Sequence, residues 1–513
     1  MADSKTSIPR LSLATLGSAR VGTAGFSYDR RRLRPRVVHL GLGAFFRAHG
    51  ALFTEDVLAD QGGDWGVTGA SLRRPDQRNR LTPQDCLYTT VENGSNSQKA
   101  RIVGCLLNVL VGPENPAALL DRLSDGETAI VTLTVTEKGY CHDPASGRLN
   151  ADHPEIRHDL EHPDAPQSAV GLVTSALARR NAAGLPPFTV ATCDNLPSNG
   201  VLLARLVYEF ASLRDDALAA WIERTVPFPS SMVDRIVPAE APGDLSAVER
   251  LTGLHDAAPV MHEPFRQWVL EDRFVDGVRP PWERAGVQFV SDVGPFERAK
   301  LRMLNGSHSA LAYLGSLAGY ETIFDAVSDE LFARFIKRFW RDEVIPILPA
   351  PPGLDLGQYA DQLFERYRNP AIRHRLRQIA MDGSQKVPPR LLSTVRDNLK
   401  QKRAFKLVAL AVAGWMRYIS GTDETGAAID VRDPLAVCLR ERIDSAGTDP
   451  AAQVRALATV EAVFGKDLPG NEAFMTAVTE AYEALRRAGA RQATATWVEA
   501  GDPHLSPGAR NGG

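Results

Sequence analysis

Arg36-Val-Val-His-Leu-Gly-Leu-Gly43, followed by AFFRAHGALFTEDVLA from Ala44 to Ala59, decides the fold of this 513-residue chain. A short apolar strand runs into two glycines, and helical spacing begins directly after them. Glycines let backbone approach a pyrophosphate, and a helix N-terminus presents N–H groups to it. Gly41, Gly43, Ala44, Phe45 and Arg47 are therefore the first candidate cofactor contacts. The fingerprint is incomplete, because Phe46 stands where the third glycine of GxGxxG belongs. A plain strand-to-helix turn is the alternative reading.

Trp65 to Leu72 (WGVTGASL) follows as a second strand. An NAD site would place an acid at its end to bind the ribose hydroxyls. Here Arg73 and Arg74 come first, then Asp76. The arginines suit a 2′-phosphate or are solvated loop charge, so the choice between NAD and NADP stays open. Ala129–Val135 and Pro187–Cys193 are β-branched apolar runs of the kind buried in parallel sheets. Their C-terminal ends, where open α/β sheets bind ligands, carry Thr136 and Glu137 in one case and Asp194-Asn195 in the other.

Between those two runs, Pro144 to Ser168 reads as a long surface loop. Its irregularly spaced histidines (His142, His153, His158, His162) read as surface residues, not as metal ligands. Asp234 lies in an apolar bracket, with an ion pair to Arg235 as its plainer role. From about residue 260 the pattern turns to long helices with few strand signals. The expected division is a flexible leader over 1–35, a dinucleotide-binding α/β domain over 36–260, a mostly helical domain over 261–505 and a disordered tail over 506–513.

The second informative stretch is Phe296-Glu-Arg-Ala-Lys-Leu-Arg-Met-Leu-Asn-Gly-Ser-His-Ser-Ala-Leu-Ala-Tyr-Leu-Gly315. On a straight helix Lys300, Glu297, His308 and Asn305 fall at about 0°, 60°, 80° and 140° around the axis. One flank then carries a base, an acid, an imidazole and an amide among leucines, where polar groups are costly unless partnered. Arg302 falls at about 200°, beside the group and outside it. An ordinary helix with a Glu–Lys pair and a satisfied core histidine is the alternative.

Composition narrows the class. With 44% hydrophobic and 24% charged residues the chain is an ordinary globular protein, long enough for several domains. A net charge of −3 supplies no field to recruit nucleic acid or an acidic membrane. The five cysteines, Cys86, Cys105, Cys141, Cys193 and Cys438, are scattered and form no CxxC, which fits a reducing cytoplasm. Leu407–Trp415, the most apolar run of the C-terminal half, is far short of the ~20 residues of a membrane span.

With these residues in view the chain resembles the polyol-specific long-chain dehydrogenases, the mannitol dehydrogenase family. Four blocks carry the resemblance: GLGAFFRAH at 41–49, TLTVTEKGY at 132–140, CDN at 193–195 with MVDRI at 232–236, and KLRMLNGSH at 300–308. Within the family it is most similar to the fructuronate reductase (D-mannonate oxidoreductase) branch, through GYCHDPASGRL, EPFRQWVLEDRFV, QIAMDGSQKVPPR and AGWMRYISGTDETGAAIDV. Mannitol 2-dehydrogenases are expected to carry an arginine near Gln378 and no counterpart of Arg390. The resemblance implies a Rossmann-type N-terminal domain, a mostly α-helical C-terminal domain, a cleft between them, and catalysis without a metal.

It also implies roles. Lys300 matches the general base, Asn195 and Asn305 the amides that hold the reacting oxygen, and His308 a substrate-orienting imidazole. Asp234 matches a hydroxyl acceptor, and Glu297 the acid that relays the lysine's proton. A uronate brings a carboxylate that a polyol lacks, so Arg302, Lys386, Arg390 and Arg417 are the candidate substrate-binding cations, with domain-interface salt bridges as their alternative. The expected function is NAD(H)-dependent interconversion of D-fructuronate and D-mannonate, with NADP not excluded. A mannitol, arabinitol or similar polyol dehydrogenase is the same-class alternative, and a nucleotide-sensing protein the different-class one. The expected partners are small sugar acids or polyols, with no nucleic acid or membrane, in a cytoplasmic monomer or weak oligomer.

Overall fold

A computed structural model describes residues 8–143 and 146–500. They form two compact units, one ending at Gly294 and the other beginning at Pro295. The N-terminal unit is organised by a five-stranded sheet in the order Leu106–Val111, Trp65–Ser71, Arg34–Leu40, Ile130–Leu133, Thr189–Thr192. Every pairing in it is parallel, as Val38 opposite both Thr68 and Val131 illustrates. Alternate residues feed opposite faces: Val37, Val67 and Ile130 enter one core, Val38, Ala70 and Val131 the other. Burial on both faces is why these strands read as continuous apolar runs. Numbered along the chain, the spatial order is 3-2-1-4-5, the doubly wound arrangement whose ligand crevice opens where the order reverses.

Three expectations need correction. The first 35 residues are not a flexible leader as far as they are described. Leu11 is fully buried with Leu87, Ile102 and Leu254, and its N–H donates to His255 O while His255 N–H donates to Pro9 O. Arg30 ties the segment down by donating to the carbonyls of Asp85, Gly104 and Leu106. The expected boundary at 260 also moves. Val260–His262 pairs with Tyr88–Asn93, and Gln267–Glu271 pairs with Ser231–Asp234 and Gln288–Val290, so this segment is stitched into the first unit up to Gly294. These strands are three to five residues long, too short for a periodicity signal. The segment between residues 144 and 168 is likewise built where it is described: Pro154–Glu161 is a helix with Ile156 buried, and Asp159 accepts hydrogen bonds from Gln167 and Ser168. The expected tail over 506–513 lies outside the described residues.

The C-terminal unit is helical. Its longest helix, Glu472–Glu499, turns at Gly489 and packs on Lys406–Tyr418, which packs in turn on Gly306–Leu317. Three segments, Leu301–Asn305, Phe339–Val344 and Pro388–Leu392, wind more widely as π-helix. Among the described residues no helix is long and apolar enough to cross a membrane.

Glu343, inside the second wide segment, is buried, and its carboxylate accepts the N–H groups of Leu407 and Val408 at the start of the Lys406–Tyr418 helix. Burial outweighs those bonds and pushes its pKa from the ordinary 4.5 up to about 7. The folded state therefore holds a proton that the unfolded chain has released between pH 4.5 and about 7, so stability from this group falls as pH rises through that window. A Glu343→Gln variant does not titrate. Its stability relative to wild type should improve from pH 5 to pH 7.5 by on the order of 2–3 kcal/mol, read from denaturant unfolding at both pH values. An equal difference at the two would contradict the assignment.

Candidate active site

Each unit brings chemistry-bearing residues together. In the first, Gly41 follows the central strand with φ +90°, and a Cβ there would lie 2.1 Å from Thr134 O, so only glycine serves. Phe46, in the place of the fingerprint's third glycine, lies stacked on His39 at 3.5 Å. The close approach is made one turn later by Gly50, whose Cβ would meet the Phe46 ring at 2.8 Å. The expected helix over 44–59 is interrupted at His49, where φ −130° and ψ −88° separate Ala44–Ala48 from Gly50–Gln61. The imidazole of His39 is held between Thr132 and Thr134, and burial pushes its pKa down to about 3.

A pocket of about 460 Å³ opens at the C-terminal ends of the sheet, lined by Gly41, Ser71, Arg73, Thr134, Thr136 and Glu155 among others. Asp194 shapes one wall. Its carboxylate accepts the N–H groups of Val135 and Thr136 and the Tyr140 hydroxyl, which holds Thr136 at φ +65°. Of the expected cofactor residues, Gly41, Arg73 and Thr136 line this pocket, while Gly43, Ala44, Phe45 and Glu137 do not. Arg47 does not point there either. It is buried, its guanidinium donates to Gly43 O and Ala258 O and lies over the Tyr88 ring, and it props the turn from behind. Asn195 is exposed just past Asp194. Asp234 is buried at the end of its strand opposite Gln267, while Arg235 donates to Ala48 O and Glu263 O. Glu155 was missed because it sits in a stretch that reads as loop.

One group could hold a metal ion among the described residues: Cys141, His153 and Glu155, whose ligand atoms lie within 4.8 Å of one another. The Glu155 carboxylate is already engaged by Arg73 at 2.5 Å, and His153 Nδ1 caps its own helix by accepting the Glu155 N–H.

In the second unit Lys300 and His308 are each 6% exposed, Asn305 and Glu297 half-buried. The straight-helix angles do not carry through, because Leu301–Asn305 is a wide turn in which Gly306 N–H donates to Leu301 O, five residues back. Side chains take up carbonyls there. Met303 O accepts from Trp340 Nε1 and Ser307 Oγ, and Leu304 O accepts from the Tyr367 and Ser307 hydroxyls. The Tyr367 and His374 rings lie 4.9 and 5.0 Å from that of His308. Burial holds the His308 imidazole well below its ordinary pKa, and the charges of His374, Arg366, Arg390 and Lys300 act in the same direction. His374 is pushed down to about 4 by burial, with Arg366 and Arg390 adding to it. His308 Nε2 and His374 Nδ1 have no hydrogen-bond partner among the described residues.

The four candidate cations separate clearly. Arg302 is paired with Asp397 at 2.6 Å. Lys386 donates to Met381 O and Ile379 O. Arg417 donates to Ser420, to Thr422 O and to Asp423 O, closing the loop after its helix. Those three serve their own unit. Arg390 instead bonds Ser309 Oγ at 3.2 Å, has no carboxylate partner among the described residues, and stands in the field of His308. Arg366 and His374 were missed, since tertiary packing alone brings them to His308.

The strand order and its crevice define a Rossmann-type unit, and the helical unit buries a lysine and a histidine on one helical stretch. The chain belongs to the mannitol dehydrogenase family. Residues 35–284 match the mannitol dehydrogenase Rossmann domain and residues 292–486 the mannitol dehydrogenase C-terminal domain. It is 47% identical to D-mannonate oxidoreductase of Escherichia coli K12 over 488 residues, covering 94% of this chain and 100% of that one. It is 41% identical to mannitol dehydrogenase DSF1 of Saccharomyces cerevisiae over 464 residues, covering 90% and 91%. The solved structure of Pseudomonas fluorescens mannitol 2-dehydrogenase, a ternary complex with NAD and D-mannitol, matches with a TM-score of 0.85 at 37% identity, covering 94% of this chain and 98% of that one.

Gly306 is the point at which the Arg390 segment approaches the wide turn. A Cβ there would lie 3.0 Å from Arg390 O and 3.7 Å from Leu301 O. Glycine-to-alanine changes inside helices ordinarily stabilise by about 0.5–1 kcal/mol. Here the sign should reverse, with Gly306→Ala costing about 1–3 kcal/mol through backbone crowding. Denaturant unfolding checks it, and a stabilised variant would contradict the close packing.

Proposed function

We propose that this protein is a metal-independent, NAD(H)-dependent reductase of D-fructuronate to D-mannonate, working reversibly. The observation that carries the reading is Arg390, which acts on the buried His308 and has no carboxylate partner among the described residues. Holding the Arg390 guanidinium largely out of water without a carboxylate partner is costly, and a substrate carboxylate offsets that cost through charge-assisted hydrogen bonds. A neutral polyol has nothing to offer such a site. The 47% identity to a D-mannonate oxidoreductase supports the same substrate, and the mannitol dehydrogenases at 41% and 37% identity keep a polyol as the competing one.

The pocket on the sheet fits a dinucleotide: Gly41 leaves the backbone open beside Thr134, and Arg73 and Thr136 line the same space. Bound NADH would supply the hydride that reduces the ketone carbon. Lys300, as ammonium, gives its proton to the oxygen on which negative charge develops, and recovers one through Glu297. The Asn305 amide donates to that oxygen, as the resemblance also assigns to Asn195, and stabilises the charge as it forms. His308, kept neutral by its surroundings, orients a substrate hydroxyl through Nε2. In the oxidation direction Lys300, now the free amine, accepts the alcohol proton. Nothing in these steps asks for a metal.

Replacing Arg390 by Met removes one charge-assisted contact, worth on the order of 1.5–3 kcal/mol or roughly 10- to 150-fold in affinity. The KM for fructuronate should rise by that factor, while turnover of neutral fructose stays within about twofold. Equal losses on both substrates would assign Arg390 to the fold, and mannitol proving the better substrate of the wild type would establish the polyol reading.

A further inference from the structure

We propose that Glu155, held against Arg73 in the nucleotide pocket, selects a coenzyme with a free ribose 2′-hydroxyl over one with a 2′-phosphate. The inference rests on reading that pocket as a dinucleotide site. The second strand ends at Ser71, and the place where an acid usually receives the ribose hydroxyls carries Arg73. Read along the chain alone, that arginine favours a phosphate. In the folded protein Glu155 comes from the first turn of the Pro154–Glu161 helix and sets its Oε1 2.5 Å from Arg73 Nη1, and both residues line the pocket.

The two side chains are unequally held. Glu155 is only 15% exposed, with Cys141 Sγ 3.8 Å from its other oxygen and Ile156 buried beside it, whereas Arg73 is 68% exposed. The acid is the enclosed member and the arginine the exposed one. A 2′-phosphate would bring nearly two negative charges against a largely enclosed carboxylate, and would have to compete with it for the guanidinium. A 2′-hydroxyl instead meets an acceptor with unused lone pairs. Glu155 therefore adds a second acid to a pocket that Asp76 and Arg74 also line, and masks Arg73, the arginine nearest the strand end.

Dissociation constants of NADH and NADPH, from fluorescence titration of the whole protein without sugar, test this separately from the identity of the sugar substrate. Wild type should bind NADH more tightly. Glu155→Gln should move the NADPH-to-NADH affinity ratio toward NADPH by about 10- to 100-fold, by releasing Arg73 to the phosphate. Adding Arg73→Met to that variant should reverse most of the gain. Arg73→Met alone should lower the ratio below wild type, and it keeps the test open should Glu155→Gln fold poorly. A ratio unchanged within about threefold in either single variant, or a wild-type preference for NADPH, would overturn the role of Glu155 while leaving the dinucleotide site standing. Failure of wild type to bind either nucleotide would overturn both.

Discussion

The hydrogen bond from Gly306 N–H to Leu301 O, five residues back, is the constraint on which the helical unit's chemistry depends. A turn this wide inserts a residue between Lys300 and His308 and forfeits part of the regular helical bonding. The surroundings meet that demand: Trp340 and Tyr367 donate to the carbonyls of Met303 and Leu304, and Ser307 donates to both. Tyr367 also lays its ring beside His308, so the residue that satisfies the turn also forms a wall of the cluster. Trp340 comes from the second wide segment, and Arg390 from the third, which meets the first at Gly306. Wide turns cluster at functional sites because they re-aim side chains that a regular helix would space evenly.

The same region is where the unit gives up stability. Lys300 and His308 occupy an interior that ordinary packing would fill with leucine, with Arg390 and His374 half-buried beside them. Burial and the neighbouring positive charges hold both His308 and His374 below the ordinary imidazole pKa, which spares the region two further charges. Local violations of packing logic of this kind are expected at functional sites, compensated by the rest of the fold. Here the compensation is the apolar helix Lys406–Tyr418, almost wholly buried between Gly306–Leu317 and Glu472–Glu499.

Much of this could be read from the chain. The strands at 34–40, 65–71, 130–133 and 189–192 announce themselves as β-branched runs because the sheet is buried on both faces. Lys300 and His308 stand out in the sequence by their place among leucines, and the structure buries both. What stayed hidden has physical reasons. A helical wheel assumes a constant turn and cannot register an extra residue, and it is blind to the Asp397 partner that removes Arg302 from consideration. Gln267–Glu271 and Gln288–Val290 begin on glutamine and lack the buried β-branched run of the central strands, which is why Val260–Val290 read as the start of the helical domain. The leader read as loose because its single deep anchor, Leu11, has no periodic company. Arg366 and His374 owe their places by His308, and Glu155 its place in the pocket, wholly to tertiary packing, and nothing in their neighbours along the chain marks them.

The central claim is that Arg390, whose charge bears on His308, receives a substrate carboxylate. D-mannonate and D-mannitol share a six-carbon polyhydroxy skeleton and differ at one end, carboxylate against alcohol. Their dissociation constants, measured by calorimetry on wild-type protein saturated with NAD, isolate that one group. The account predicts that mannonate binds at least ~10-fold more tightly, with the advantage shrinking as ionic strength rises. Mannitol binding as tightly as mannonate, or more so, would contradict it.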